Sequence, residues 1–450
     1  MKLLLSLMVA VEICFCAKAD NTSSEQDLAN LYKPLPAPQP KGLLLKKHDR
    51  LAICGDSITE QKMYSRLIED YLTMCVPQLD VTVRQFGWSG EQAFQFLGRM
   101  TNDCLRVHPT IATTCYGMND FAYQPYQDQL GQRYQTNTDA IVQSFKAHGA
   151  RVIVGSPGCI CKIPFWATAR AATNANETVQ NMDLSLCAFR NIDVGIAREE
   201  EVGFADIFWP LLTAFTEVQS EYGTNYNLCG PDGVHPHWAG HTIMAYAFLK
   251  AMGLDGDIGT FTADLGRNRM KVSKGHKVVS ATNGVFQIES SRYPFCACVP
   301  VASGDASYPA CETDDSSSDN SIRSGMSLVP FNQDLNRLLL VAKNGTAASY
   351  KVTWGSQSKS FSAAQLAAGI NLAVEFPENP FSEAFAKVDA AVAAKQAFET
   401  KQIKELFRSA AAQTNMEAVA DDSERTRQPL ADAIKTAFVP VTHTISIVAE

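Results

Sequence analysis

Four short motifs follow one another along this chain, each at the end of, or just beyond, a strand-like run: Gly55-Asp56-Ser57, Phe86-Gly87-Trp88-Ser89-Gly90, Gly117-Met118-Asn119-Asp120 and Asp232-Gly233-Val234-His235. Their order constrains the fold more than any of them does alone. The runs before the first three are Leu51-Ala52-Ile53-Cys54, Val81 to Phe86 and Thr110 to Cys115. Residues 61–75 carry Met63, Leu67, Ile68, Tyr71, Leu72 and Cys75 at helical spacing. Residues 133–148 read as a helix closed by Gly149, and Arg151 to Val154 as a fourth strand. Gly203 to Ile207 is a weaker fifth strand, and residues 240–252 an apolar helix closed by Gly253. Repeated strand–helix units build a parallel sheet with helices on both faces. In such sheets ligands bind at the carboxyl ends of the strands, which is where the first three motifs fall.

After Gly256 the texture changes. Residues 258–375 contain alternating runs such as Lys277-Val278-Val279-Ser280, Phe286-Gln287-Ile288-Glu289 and Leu338 to Ala342, with a Ser/Asp-rich loop from Asp305 to Asp319. Residues 381–409 and 415–438 are rich in Ala, Glu and Lys and predict an antiparallel helix pair; Thr442 to Val448 predicts a closing strand. No internal repeat is present. A chain of 450 residues exceeds one small domain. The expected division is a signal segment over 1–19, an extended proline-rich lead-in over 20–47, an α/β domain over 48–256, a β-rich module over 257–376, and a helical pair with closing strand over 377–450.

The first nineteen residues have the layout of a secretory signal: Lys2, an apolar run from Leu3 to Val11, and Ala17-Lys18-Ala19 before Asp20, with Glu12 as an intrusion. The apolar run is too short to span a bilayer, and no other segment reads as transmembrane. The expectation is export to the periplasm or beyond, with no integral membrane segment after cleavage. A net charge of −8 argues against nucleic acid or an anionic membrane as the main partner. Export permits disulfides. Thirteen cysteines less Cys14 and Cys16 leave eleven, so at least one lacks an intrachain partner. Cys296, Cys298 and Cys311 are candidates for a local disulfide; Cys54 and Cys115 read as small core residues. The Cys159-Ile160-Cys161 and Cys296-Ala297-Cys298 pairs have no histidine cluster near them in sequence, which argues against zinc. Oligomeric state is not legible.

The motifs carry complementary chemistry. Ser57 sits between a strand and a helix, which would lift its hydroxyl to the sheet edge. A serine nucleophile needs an imidazole to take its proton and a carboxylate to orient that imidazole; His235 lies three residues after Asp232 on one turn-rich loop. An oxyanion needs preorganised donors, which the Gly87 amide and the Asn119 side chain could supply. Each motif in isolation is an ordinary turn or cap. His237 and His241 compete with His235, but His241 opens a helix and reads as a packing residue, and His237 has no acid at comparable spacing.

Together the motifs resemble the SGNH (GDSL-type) hydrolase superfamily: Gly55 to Glu60 matches its first block, Gly87 its second, Gly117 to Asp120 its third and Asp232 to Pro236 its fifth. The likeness covers residues 48–253, with Ile58 where the first block has leucine. It implies a flavodoxin-like three-layer α/β/α fold with a central parallel sheet, to which the C-terminal β module and helical hairpin are additions. It implies ester hydrolysis through an acyl-enzyme, without metal or organic cofactor. Carried over, Ser57 is the nucleophile, His235 the base and then acid, and Asp232 its orienting partner. The Ser57 amide, the Gly87 amide and Asn119 form the oxyanion hole, while Asp56 and Asp120 brace loops. The leading expectation is an exported esterase removing small acyl groups, acetyl first, from carbohydrate. Trp88 and Trp238 flank the expected site, either as stacking platforms for sugar rings or as core residues. The alternatives are a lipase, lysophospholipase or aryl esterase of the same chemistry, and a non-catalytic carbohydrate-binding protein.

Overall fold

Five short runs pair in parallel to form the central sheet: β1 (Arg50–Gly55), β2 (Thr82–Gln85), β3 (Ile111–Cys115), β4 (Arg151–Gly155) and β5 (Gly203–Ala205), in the order β2-β1-β3-β4-β5. The computed structural model describes residues 21–174, 178–297 and 314–450; the expected signal segment with Cys14 and Cys16, and the cysteines Cys298 and Cys311, lie outside the described residues. Every residue of β3 is buried, as are Leu51 to Gly55 of β1. Such continuous burial requires cover on both faces. Helices Ala93–Asp103, Asp128–Ala147 and Val179–Glu199 pack together as one layer, and Tyr64–Asp70, Phe208–Tyr222 and Trp238–Ala251 as the other. This is the flavodoxin-like strand order, whose switch point lies between β1 and β3. Ser57 leaves β1 and Asn119 follows β3, so both emerge at that crevice. Among the described residues no helix is long and apolar enough to cross a membrane.

The C-terminal strands build two further sheets. One contains β6 (Asp257–Asp264), β7 (Arg269–Val272), β10 (Arg337–Lys343) and β13 (Ile370–Asn371), ordered β13-β10-β6-β7, with β6 and β10 parallel. The other contains β8 (His276–Thr282), β9 (Val285–Ser290), β11 (Ser349–Trp354), β12 (Gln357–Ser362) and β14 (Val441–Ala449), ordered β12-β11-β14-β9-β8 and antiparallel throughout. The last strand is thus central, between β11 and β9.

Helices Ser382–Lys404 and Met416–Ala437 form the expected hairpin. Its first helix lies along β2, the edge strand, and covers what would otherwise be open backbone. The Lys395 Nζ, 1% exposed, donates to the Val83 carbonyl (2.5 Å) and pairs with Glu69 (2.9 Å) and Glu399 (3.0 Å); Arg427 pairs with Glu399 (2.7 Å). Burial works to raise Glu399, but Lys395 and Arg427 hold it below the ordinary carboxylate range. Ser65 donates to Gln396 (2.8 Å), and Gln396 donates to Glu69 (2.8 Å). One hydrophobic core runs from the parallel sheet into the C-terminal sheets and hairpin.

Candidate active site

The strand–turn–helix junction after β1 leaves space only for glycine at its first position. A Cβ on Gly55 would stand 2.0 Å from Thr59 Oγ1 and 2.8 Å from the Cys115 carbonyl. Asp56 caps the helical turn Ser57–Glu60, its Oδ1 accepting from the Ile58 amide (3.0 Å). Ser57 is the first residue of that turn and the only one of the four that is not fully buried.

The second half of the site comes from the loop before helix Trp238–Ala251. Gly230 (φ +75°) and Gly233 (φ +82°) occupy the left-handed region, and a Cβ on Gly230 would lie 1.8 Å from the His235 carbonyl. Asp232 Oδ1 accepts from the Val234 and His235 amides, both at 2.9 Å, so the carboxylate folds the loop around itself. Its Oδ2 accepts a hydrogen bond from His235 Nδ1–H at 2.6 Å, which leaves Nε2 to accept from the Ser57 hydroxyl at 2.7 Å. That network assigns the tautomer. Burial raises the Asp232 carboxyl, but the His235 ring and the two amides outweigh it and bring the group down to about 2. It is therefore ionised at neutral pH and able to stabilise an imidazolium. The Cys161–Cys229 disulfide ties this loop to the segment after β4, and the Cys161 amide donates to the Gly233 carbonyl (2.9 Å). A third sulfur, Cys159 Sγ, lies 3.9 Å from Cys229 Sγ.

The third motif stands opposite. Asn119 Nδ2 donates to the Glu91 carbonyl (3.1 Å) and points weakly at Asp56 Oδ2 (3.4 Å). Asp120 accepts from the Ala93 amide (3.0 Å) and the Gly117 amide (3.1 Å), holding the 117–120 turn against the start of helix Ala93–Asp103. Burial raises Asp56 to about 7 and Asp120 to about 6.

Gly87 is not brought to this site. Phe86 and Trp88 donate their amides to the Ile53 and Gly55 carbonyls of β1, so the Gly87 amide between them faces the other way and donates to Gln85 Oε1 (2.8 Å). Alternation of N–H direction along an edge strand dictates this. Gly87 is glycine because a Cβ there would sit 2.2 Å from the Glu60 amide nitrogen. Gly90 is the residue that the sequence reading passed over. It is exposed at φ +74°, its amide has no protein acceptor among the described residues, and its neighbour Glu91 accepts from Asn119. Its position in a Ser-Gly-Glu turn just past β2 was the available signal.

The two tryptophans are also placed differently from the stacking expectation. Trp238 is 2% exposed and packs under the Arg66 guanidinium (5.5 Å). Trp88 is half-buried among Arg99 (5.2 Å), Lys404 (5.3 Å) and Arg408 (5.1 Å). Trp166 stands at the site instead, its ring edge-on to His235 at 6.1 Å between centroids. It meets Tyr123 at 5.5 Å and Phe165 at 4.9 Å, both edge-to-face. Phe165 is 79% exposed and Trp166 41%, unusual for rings of this size and mutually perpendicular, which leaves an open aromatic corner beside the histidine. Burial, with Asp56 and Asp232 nearby, pushes the Tyr123 phenol up. His237 pairs with Asp319 (3.1 Å). His241 is fully buried, accepts from the Tyr64 amide (3.3 Å) and bonds Gln61 (3.1 Å); burial brings it down to about 3.

Comparison with known proteins agrees with this architecture. Residues 53–243 match the model of the GDSL-like lipase/acylhydrolase family. Over that segment, less than half of its length, the chain is similar to the SGNH/GDSL hydrolases. Among solved structures it is similar to BT4096, described as a gut microbial diltiazem-metabolizing enzyme, at 21% identity and a TM-score of 0.70, over 92% of this chain and 99% of that one. That likeness extends the shared fold through the C-terminal sheets and hairpin. Axe2, an acetylxylan esterase from Geobacillus stearothermophilus, matches over 47% of this chain and 97% of its own at 22% identity and a TM-score of 0.38. LAE5, an alpha/beta hydrolase from the metagenome of Lake Arreo, matches over 47% of this chain and 98% of its own at 21% identity and the same TM-score, 0.38. No curated protein sequence matches the chain.

Proposed function

We propose that this hydrolase is an exported serine carboxylesterase that removes small acyl groups, acetyl first, from a carbohydrate alcohol. The observation that carries the chemistry is the hydrogen-bond chain from Ser57 Oγ through His235 to Asp232, at 2.7 Å and 2.6 Å. Ser57 attacks the ester carbonyl as His235 Nε2 takes its proton. The oxyanion is held by the Ser57 amide, the Gly90 amide and Asn119 Nδ2. His235 then returns the proton to the leaving alcohol, and water attacks the acyl-enzyme by the same route in reverse. No step calls on a metal or an organic cofactor.

The alcohol leaves on the histidine side, where the Phe165–Trp166 corner lies. Exposed aromatic faces suit the C–H face of a sugar ring. The signal-like N-terminus supports an extracellular or periplasmic polymer or oligomer as the source of that ring. A second reading, an aryl ester, is favoured by the perpendicular setting of the two rings at 81°, which also fits an aromatic leaving group. Hydrolysis of p-nitrophenyl esters of increasing chain length, with Ser57→Ala beside the natural enzyme, tests the chemistry. A preference for acetate that vanishes in the variant is expected, and turnover retained by Ser57→Ala refutes the nucleophile. Acetylated oligosaccharides against aryl acetates then separate the two substrate readings: a higher kcat/KM on the oligosaccharides supports carbohydrate.

A further inference from the structure

We propose that Lys404, on the C-terminal hairpin, is a positioning residue for the oxyanion hole, so that the appended helices are part of the hydrolase machinery. This rests on the serine-hydrolase reading above. Glu60 ends the helical turn that begins at Ser57, and its carboxylate, on a residue only 7% exposed, accepts a short hydrogen bond from the Ser89 amide, one residue before Gly90. One carboxylate thus spans the two backbone segments that carry the Ser57 and Gly90 amides. Lys404 Nζ binds both of its oxygens, at 2.7 Å and 2.9 Å.

The same helix grips the loop at two further points. Thr400 Oγ1 accepts from Gln85 Nε2, and Gln85 Oε1 takes the Gly87 amide (2.8 Å). Glu399 accepts from the Gln85 amide (3.2 Å). Lys404 and, just beyond the helix, Arg408 pack on the Trp88 ring, while Arg408 is itself anchored on Asp103 (2.8 and 2.5 Å). From inside the α/β domain, Arg99 holds the Phe86 carbonyl (2.6 Å) and Glu91 (2.5 and 2.7 Å). The loop that presents Gly90 is therefore fixed between one cation from the hydrolase domain and two from the C-terminal segment. Without Lys404 the nearly buried Glu60 carboxylate loses the cation that binds both its oxygens, and turning toward water to recover that solvation gives up its hold on Ser89. The spacing between the two backbone donors then changes, and misplacement by about 1 Å is enough to cost up to about 10²-fold in rate.

The test compares Lys404→Met and Lys404→Arg with the natural full-length enzyme, measuring kcat and KM on p-nitrophenyl acetate and amide hydrogen exchange over residues 86–91. The expectation is a fall in kcat of about 10- to 100-fold for Lys404→Met. KM should stay within about 2-fold, exchange over 86–91 should quicken, and Lys404→Arg should restore both properties substantially. An unchanged kcat, or an unchanged exchange rate over 86–91 in folded Lys404→Met, overturns the proposal. So does a loss that Lys404→Arg does not relieve. If the natural enzyme shows no Ser57-dependent turnover, it is the serine-esterase reading that fails, and the exchange rates still decide whether Lys404 positions the loop.

Discussion

Burial decides the chemistry of Asp56. Its carboxyl is raised from 3.8 to about 7 by desolvation, against the pull of the Ile58 amide and of His235. Between pH 4 and 7 the folded chain therefore holds a proton that the unfolded chain has released, and this residue's contribution to stability declines as pH rises through that window. Asp56→Asn removes the cost of burying the ion. Relative to the natural protein, the variant should gain unfolding free energy as pH goes from about 4 to about 8, read by denaturant titration at each end; a pH-independent difference would contradict the burial argument. Asn119 is a different case, since its amide is already aimed by the Glu91 carbonyl at 3.1 Å. Asn119→Ala should lower kcat by about 10² to 10³ with little change in stability, and an unchanged kcat would remove it from the oxyanion hole. Ser57, Asn119, Asp232 and His235 were legible because their motifs are local in sequence. Gly87 was misleading for a reason that sequence does not display: two residues in the same turn are both glycine, and only the fold shows that the Gly87 amide is taken by Gln85 while the Gly90 amide has no protein acceptor among the described residues. Trp166 was missed because nothing in Pro164-Phe165-Trp166 separates an exposed aromatic pair from a buried one.

The elements that were read correctly are those with an uninterrupted pattern. All five central strands fall where the apolar runs predict, as do helix Trp238–Ala251 and both helices of the hairpin. Helix Val179–Glu199 was not legible, because its inward face carries Asp183, Arg190 and Asp193. These break the apolar stripe, yet each is satisfied: Asp183 by the Ile160 amide (2.8 Å), Asp193 by the Tyr134 hydroxyl (2.9 Å), Arg190 by Asp206 (3.0 Å). The periodicity over 61–75 predicted one helix; the chain instead turns at Lys62 (φ +56°), forms helix Tyr64–Asp70 and ends in a wider π turn, Tyr71–Cys75. The loop that carries Asp232 and His235 has no regular structure of its own and relies on its staple. The Cys161–Cys229 bond closes a separation of 68 residues, and the double variant Cys161→Ser/Cys229→Ser should lose about 2–4 kcal/mol of stability. It should also lose kcat, as the His235 ring gains freedom. Calorimetry with parallel rate measurements checks both, and a variant equal to the natural protein in both would show that the glycine turns and Asp232 suffice.

At the scale of the whole molecule, the chain is an α/β domain whose sheet edge, β2, is covered by its own C-terminal hairpin. The contacts that do this join residues far apart: Gln85 meets Thr400 across 315 positions, and Lys404 meets Glu60 across 344. The closing strand β14 is the middle of its sheet, not its rim, so the C-terminal sheet is complete only when the last residues of the chain are in place. By itself the sequence determined the alternation of strands and helices, the parallel sheet and the order in which Ser57, Asn119 and the Asp232–His235 pair appear, because hydrophobic periodicity and turn residues act over a few positions. Only the tertiary structure decided which glycine amide is free, which tryptophan reaches the histidine, and that the hairpin braces the loop beside Ser57. Those outcomes turn on hydrogen-bond direction and on side chains brought together from distant segments, and neither is encoded within the span of a motif.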